Sequence, residues 1–390
     1  MRLEDGRRID AGIVRRSLLS FVFLVTFSLQ SSAQNSSVQT RGYAKNLAIR
    51  SKSILSNETY FLDISRLRLK GLVDVSNKVH SEVWLDTELL AGSFLKTPEF
   101  RFSEILARPT FADLSWTVEQ GSEAQLRQSL FRAFATLYLG RTELTVGRQR
   151  IAWGTGFAWN PTDLLNPFNP AAIELAEKEG VDAIHLAIPF GTLSRVEAAF
   201  APGKDELRSS ASLRMSTNWG NYDLAIMGGD FRDDKVLGGD FAGYLGSAGF
   251  RGEFAYTWKH QDDNYLRAVL NADYNFRGDI YAFIEFYYNG QGSSDKNNYK
   301  LGDLLAGQTF NLAKHYLAIS ANKSLTPLLV LNVYSLVNLN DGSSLVGPSI
   351  VYSISTNLEA AASAYWTRGP ERSEYGTLKS SFFGYLQFYF

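Results

Sequence analysis

From about Tyr60 to the last residue, apolar and polar positions alternate in segments of roughly ten residues, separated by Gly, Asn, Asp, Ser or Pro clusters. A period of two belongs to strands whose two faces meet different surroundings. In "NYLRAVLNADYNF", Leu266, Ala268, Leu270, Ala272, Tyr274 and Phe276 share one side, and Arg267, Asn271, Asp273 and Asn275 take the other. "SAGFRGEFAYTW" sets Phe250, Phe254, Tyr256 and Trp258 against Arg251 and Glu253, and "DIYAFIEFYYNG" sets Ile280, Ile284 and Phe286 against Glu285. The pattern predicts strands near 44–55, 62–75, 79–90, 129–139, 142–152, 181–189, 193–201, 208–218, 221–231, 235–245, 247–258, 264–276, 279–289, 314–324, 327–338, 344–355, 358–367 and 377–390. Those are about eighteen, an even number that leaves both termini at one rim; the first is the weakest, and sixteen would also close.

Connection lengths choose between architectures that share this alternation. Short links at 76–78, 139–142, 218–221, 276–279 and 355–357 alternate with generally longer polar ones such as "APGKDE", "KHQDDN" and "TRGPERSEYG". Short turns at one rim and long loops at the other describe a transmembrane barrel rather than a soluble sandwich. The expected fold is therefore all-β, one transmembrane antiparallel β-barrel over 34–390. The closing "SFFGYLQFYF", Ser381 to Phe390, fits that reading. In water its aromatic edge would be an aggregation site, whereas in a closed barrel it pairs with the first strand and faces lipid.

The N-terminus supplies an address. A polar, Arg-rich stretch, the apolar "SLLSFVFLVTFSLQ" and the small residues Ser31 and Ala33 make the three parts of a secretory signal, so 1–33 is expected to be a cleaved signal peptide. Its apolar core is shorter than the ~20 residues of a spanning helix. The formal charge of -1 gives no basic field for nucleic acid, and the absence of cysteine excludes disulfides, thiolate catalysis and Cys-ligated metal. His80, His185, His260 and His315 show no metal-ligand spacing, and neither a nucleophile elbow nor a phosphate-binding loop is present. No catalytic, cofactor or metal site is expected.

The sharpest stretch runs from Leu144 to Gly180, "LTVGRQRIAWGTGFAWNPTDLLNPFNPAAIELAEKEG", with a helical turn expected over "AAIELAEKEG". A loop this long and apolar should fold into the barrel, so 153–180 is expected to be a constriction or plug, with Trp159, Asp163, Glu174, Glu177 and Lys178 lining it. The alternative is a lid that braces neighbouring loops. Arg132 is expected almost opposite Arg148, with Arg150 two residues on and no acid nearby on those faces. This patch either draws anionic solutes inward or is neutralised by Asp163, Glu174 or Glu177 to lock the loop. A turn at "SNK" pairs Arg66 with Glu88 and Arg68 with Asp86, a self-neutralising charge ladder on the lumen wall.

The run "GRQRIAWGTGFAWNPTDLLNP" resembles a stretch of porin-like outer-membrane barrels of Gram-negative bacteria, including alginate-export-type and related families. The matching positions are Gly147, Arg148, Gln149, Trp153, Gly154, Asn160, Pro161, Asp163, Asn166 and Pro167. The C-terminal Phe390 likewise resembles the signal by which such barrels are recognised for assembly. These likenesses imply a channel in the outer membrane of a Gram-negative bacterium, passing small hydrophilic solutes, with outer-membrane lipid and the barrel-assembly machinery as partners and no nucleic acid. A non-conducting barrel serving as surface anchor or export component, and an outer-membrane hydrolase, are the alternatives. A homotrimer and a monomer both remain open.

Overall fold

The computed structural model describes residues 37–105, 110–167, 169–174, 177–203, 209–260, 262–300, 302, 304 and 309–390; the expected signal peptide lies outside them. The strands are β1 (Ser37–Lys52), β2 (Thr59–Ser76), β3 (Val79–Ala91), β4 (Ser115–Gln120), β5 (Ala124–Leu139), β6 (Thr142–Gln149), β7 (Val181–Pro189), β8 (Arg195–Ala201), β9 (Ser210–Trp219) and β10 (Tyr222–Phe231). They continue as β11 (Asp234–Leu245), β12 (Ala248–Trp258), β13 (Tyr265–Phe276), β14 (Ile280–Asn289), β15 (His315–Thr326), β16 (Leu329–Asn338), β17 (Ser344–Ser355), β18 (Leu358–Arg368) and β19 (Ser381–Tyr389). All belong to one antiparallel sheet, and β1 closes it by pairing with β2 on one side and β19 on the other.

The closure uses the aromatic terminus. Tyr43 lies opposite Tyr389 and Arg50 opposite Phe382, and Phe390 exchanges main-chain hydrogen bonds with Gly42 at 2.9 and 3.1 Å. No strand edge is left there for another chain to join. All of the predicted strands are present. β1, expected to be the weakest, spans 16 residues and is paired along its length.

β4 is the one strand the pattern missed. Its six residues are all exposed, so no face of it alternates. One edge of β5 pairs with β3; on the other edge β6 takes Ala133 to Leu139 and β4 takes Gln125 to Ser129. β4 and β6 thus share one slot, and the nineteen strands make an eighteen-position wall.

The outside of this wall is apolar. Leu213, Ile226, Ile284 and Phe382 are 49–56% exposed, while the alternate positions carry charge inward. Such a surface is stable against hydrocarbon and unstable against water, so the strands are membrane-spanning. Trp219 and Tyr244, the most exposed aromatics, sit at the short-turn rim, where rings with a polar handle favour the interface. Among the described residues no helix is long and apolar enough to cross a membrane.

Candidate functional site

The chain between β6 and β7 folds into the barrel and divides its interior. Its first limb packs on the β7–β17 wall. Ile151 and Trp153 join a buried cluster with Ala199, Met227, Val236 and Ala255, and Ala158 and Trp159 join another with Val269, Tyr287, Tyr316 and Leu336. Phe157 stacks on Phe283 at 4.4 Å between ring centroids, and Trp159 on Tyr287 at 5.1 Å.

Two wall carboxylates hold this limb by its backbone. Glu285 of β14 accepts the N–H groups of Phe157, Ala158 and Trp159 at 2.6, 2.9 and 2.9 Å, and the Asn271 amide at 3.0 Å. Glu253 of β12 accepts from Thr155 N–H at 2.9 Å and from both the N–H and hydroxyl of Thr162 at 2.6 and 2.7 Å. A buried carboxylate ringed by donors is fully satisfied, and it satisfies loop amides that would otherwise be orphaned. The approach leaves no room for side chains at two positions. A Cβ on Gly156 would lie 1.8 Å from the Trp159 carbonyl oxygen, and Gly154, at φ +96°, would place one 2.5 Å from Glu253.

The second limb crosses to the β1–β3 wall and is held there by side-chain ion pairs. Glu174 accepts from Lys45 at 2.8 Å and from both terminal nitrogens of Arg66 at 3.0 and 2.7 Å. Glu177 meets Lys70 at 2.8 Å, Arg68, and the Tyr43 hydroxyl at 3.3 Å. Burial opposes ionisation of both carboxyls, but the Arg66 hydrogen bond and charge with Lys45, and the Lys70 and Arg68 contacts, outweigh it and hold them below the ordinary value. Tyr365 of β18 donates to the Ala172 carbonyl at 3.0 Å, and Gly180 N–H returns to Phe131 of β5. The loop therefore forms a belt touching the wall on several sides.

An open space of about 1860 Å³ remains on the β1–β5 and β16–β19 side of the belt. Nine basic and nine acidic side chains line it, so the charges balance. The facing β16–β19 wall contributes Tyr334, Tyr365, Tyr385 and Tyr389 with Asn332 and Gln387.

Several sequence-predicted residues occupy other places than expected. Arg132 lies one residue from the position opposite Arg148, because the turn that pairs Leu139 with Thr142 puts Ala133 across from Arg148; on the other edge of β5, Phe131 is an extra residue between the pairs Trp84–Arg132 and Leu85–Leu130. Arg132 stacks on Trp84 at 4.2 Å and donates to the Lys178 carbonyl at 2.9 Å. An acid does lie beside Arg148: Asp182 of β7, at 2.9 Å. The same guanidinium donates to the carbonyls of Ala112 and Leu130, stitching the seam where β4 and β6 meet. Arg150 is exposed and has no carboxylate within ion-pair distance among the described residues.

Trp159 is 4% exposed and anchors the loop rather than lining the space, and Asp163 is buried against Lys178 at 2.7 Å. Burial pushes the Asp163 carboxyl up to about 6 against the pull of Lys178. The loop acids neutralise Lys45, Arg66, Arg68 and Lys70 instead of Arg132, Arg148 and Arg150. Described residues of "AAIELAEKEG" form no helical turn. The ladder is in the predicted register, Arg66 opposite Glu88 and Arg68 opposite Asp86, with Nε donating at 2.6 Å in each pair. It is not self-contained, since each arginine also takes a loop carboxylate.

Sequence reading missed Lys45, Lys70, Asp182, Glu253 and Glu285 as site residues. The signal for the last two was a lone carboxylate on the inward side of an aromatic-rich strand. At the loop rim of the wall that carries the first limb, Glu374 ties its own loop to β15, β16 and the β14–β15 connection, accepting from the Tyr316 hydroxyl, Asn338 at 2.8 Å and Leu312 N–H at 3.3 Å. Burial raises its carboxyl to about 8.

The fold and its inward loop define a class: a membrane-spanning channel-sized barrel with a loop-narrowed lumen. No protein-family model matches the chain, and no curated protein matches it in sequence. Solved structures do. OprD, an outer-membrane protein of Pseudomonas aeruginosa, aligns over 93% of this chain and 97% of its own at a TM-score of 0.57 and 11% identity. Acinetobacter baumannii OccAB1 aligns over 93% and 99% at 0.56 and 10%, and the outer membrane protein opdK of P. aeruginosa over 91% and 98% at 0.56 and 8%. At these identities the likeness is one of fold.

Proposed function

We propose that this protein is a porin-like channel of the Gram-negative outer membrane through which small hydrophilic solutes diffuse passively, with the 150–180 loop setting the aperture. The observation that carries this reading is the charge-lined space beside the belt, because a water-filled lumen is the environment that solvates such a wall. The shared fold with outer-membrane proteins supports the location. Outer-membrane lipid surrounds the wall, and Phe390 serves the assembly machinery that inserts it. No catalytic, cofactor or metal residue belongs to this reading.

Purified protein in planar bilayers is expected to give single-channel steps, larger after deletion of 156–178. If neither form conducts, the channel reading is overturned. Conduction by the deletion variant alone would make the loop a plug and the barrel an anchor or export component.

A further inference from the structure

The two walls of the open space offer a solute different groups. On the β1–β5 side the charges are already matched: Lys45, Arg66, Arg68, Lys70 and Arg127 each hold a carboxylate. A charged solute reaches them only by displacing Glu174, Glu177 or a wall partner.

The β16–β19 side is the reverse. Asn332, Ser349 and Ser363 line the space in one row across three strands, Asn332 opposite Ser349 and Ser349 opposite Ser363. All three are half-buried, and among the described residues their side chains have no hydrogen-bond partner. The row crosses two interstrand spacings, roughly 10 Å. Tyr334 and Tyr365 line the space two residues further along β16 and β18, and Gly347 lies opposite Tyr334 on the strand between them. A Cβ on Gly347 would lie 2.8 Å from Tyr365 Cε1, so that ring leans on β17. It is fixed there, with its hydroxyl on the Ala172 carbonyl at 3.0 Å and its edge against Phe383 at 5.0 Å between centroids. Tyr385 is engaged differently: its hydroxyl donates to Glu359 at 2.6 Å, and Lys45 lies over its ring.

The hydrogen-bonding capacity left free on this wall is therefore uncharged, both donating and accepting, and set beside fixed rings. Those groups suit a molecule with hydroxyl edges and flat C–H faces. We infer, building on the channel reading above, that the β16–β19 wall is a binding surface for neutral saccharides. Their hydroxyls meet Asn332, Ser349 and Ser363, and their ring faces meet Tyr334 and Tyr365. A row of this length accepts two linked pyranose rings. The ion pairs opposite stay intact, because an uncharged solute replaces neither partner.

Cellobiose is the probe, since the ring substituents of its β form are all equatorial and both faces carry only C–H. In planar bilayers it should reduce the single-channel current saturably. It should do so at lower concentration than sorbitol, which has hydroxyls without ring faces, and than glucuronate, which adds a negative charge. Asn332→Ala/Ser349→Ala/Ser363→Ala and, separately, Tyr334→Leu should each raise the half-blocking concentration about tenfold. Both should keep the heat-modifiable gel band of a folded barrel. Equilibrium dialysis of the detergent-solubilised protein against labelled cellobiose reads binding without conduction. Channel steps with neither block nor dialysis binding overturn the saccharide inference and leave the channel standing; dialysis binding without steps supports the surface and overturns the channel. Block by sorbitol or glucuronate at equal or lower concentration, or variants that bind cellobiose as the wild type does, also overturn the inference.

Discussion

Along β12 and β14 the inner loop is gripped through its main chain by two buried carboxylates and covered by stacked rings, whereas along β1 and β2 it is gripped through half-exposed side-chain ion pairs. The first attachment is dry, and salt in the lumen does not reach it. The second borders the open space, where counter-ions screen it and a charged solute competes for the same nitrogens. The contrast identifies which part of the aperture is fixed and which is replaceable.

The largest effect should come from breaking the fixed side. Glu285→Leu orphans three N–H groups, each worth about 1–3 kcal/mol when buried without a partner. The expected result is release of the 153–163 limb, seen as a markedly larger and noisier single-channel current, with the heat-modification midpoint lowered. An unchanged current would mean that ring stacking alone holds the limb.

Next comes the replaceable side. Glu174→Gln/Glu177→Gln leaves nine basic against seven acidic lining groups. In a salt gradient the reversal potential should move toward the anion's equilibrium value, more at low than at high ionic strength. The fold midpoint should fall by far less than in Glu285→Leu. Equal reversal potentials in variant and wild type would show that these pairs do not shape the passage.

Two sets of loop carboxyls should also titrate in opposite directions. Glu174 and Glu177 have lowered values, so their contribution is complete above about 4.5 and is lost as pH falls through the depressed folded value. Wild-type current at strongly acid pH should therefore approach that of the double Gln variant. Glu374 and Asp163 are raised, so their contributions are complete below the unfolded values and decline as pH rises through about 8 and about 6, respectively. Between pH 6 and 9 the heat-modification midpoint of wild type should drop, and Glu374→Gln should flatten that drop. The smallest effect is expected for Arg150→Ala, which should change the midpoint by less than about 0.5 kcal/mol equivalent, since no carboxylate among the described residues pairs with it.

Strand positions, the Arg66–Glu88 and Arg68–Asp86 register and the inward loop were legible because alternation and turn chemistry are local. The extra residue at Phe131 in the β3–β5 pairing was not, since a bulge has no compositional mark in "LFRAFATLYLG". β4 escaped because a six-residue strand with no buried face has no alternation to read. The loop's anchors were illegible for a different reason. Glu253 and Glu285 bind N–H groups about a hundred residues away, and every residue but proline supplies the same group.

That last point bears on how freely the sequence of this limb could drift. Substitutions at 157, 158 or 159 leave the donors to Glu285 intact, provided proline is avoided and Gly154 and Gly156 stay. Because Ala158 and Trp159 are buried against the wall, a lineage could repack this limb on β13–β16 while its moorings persist.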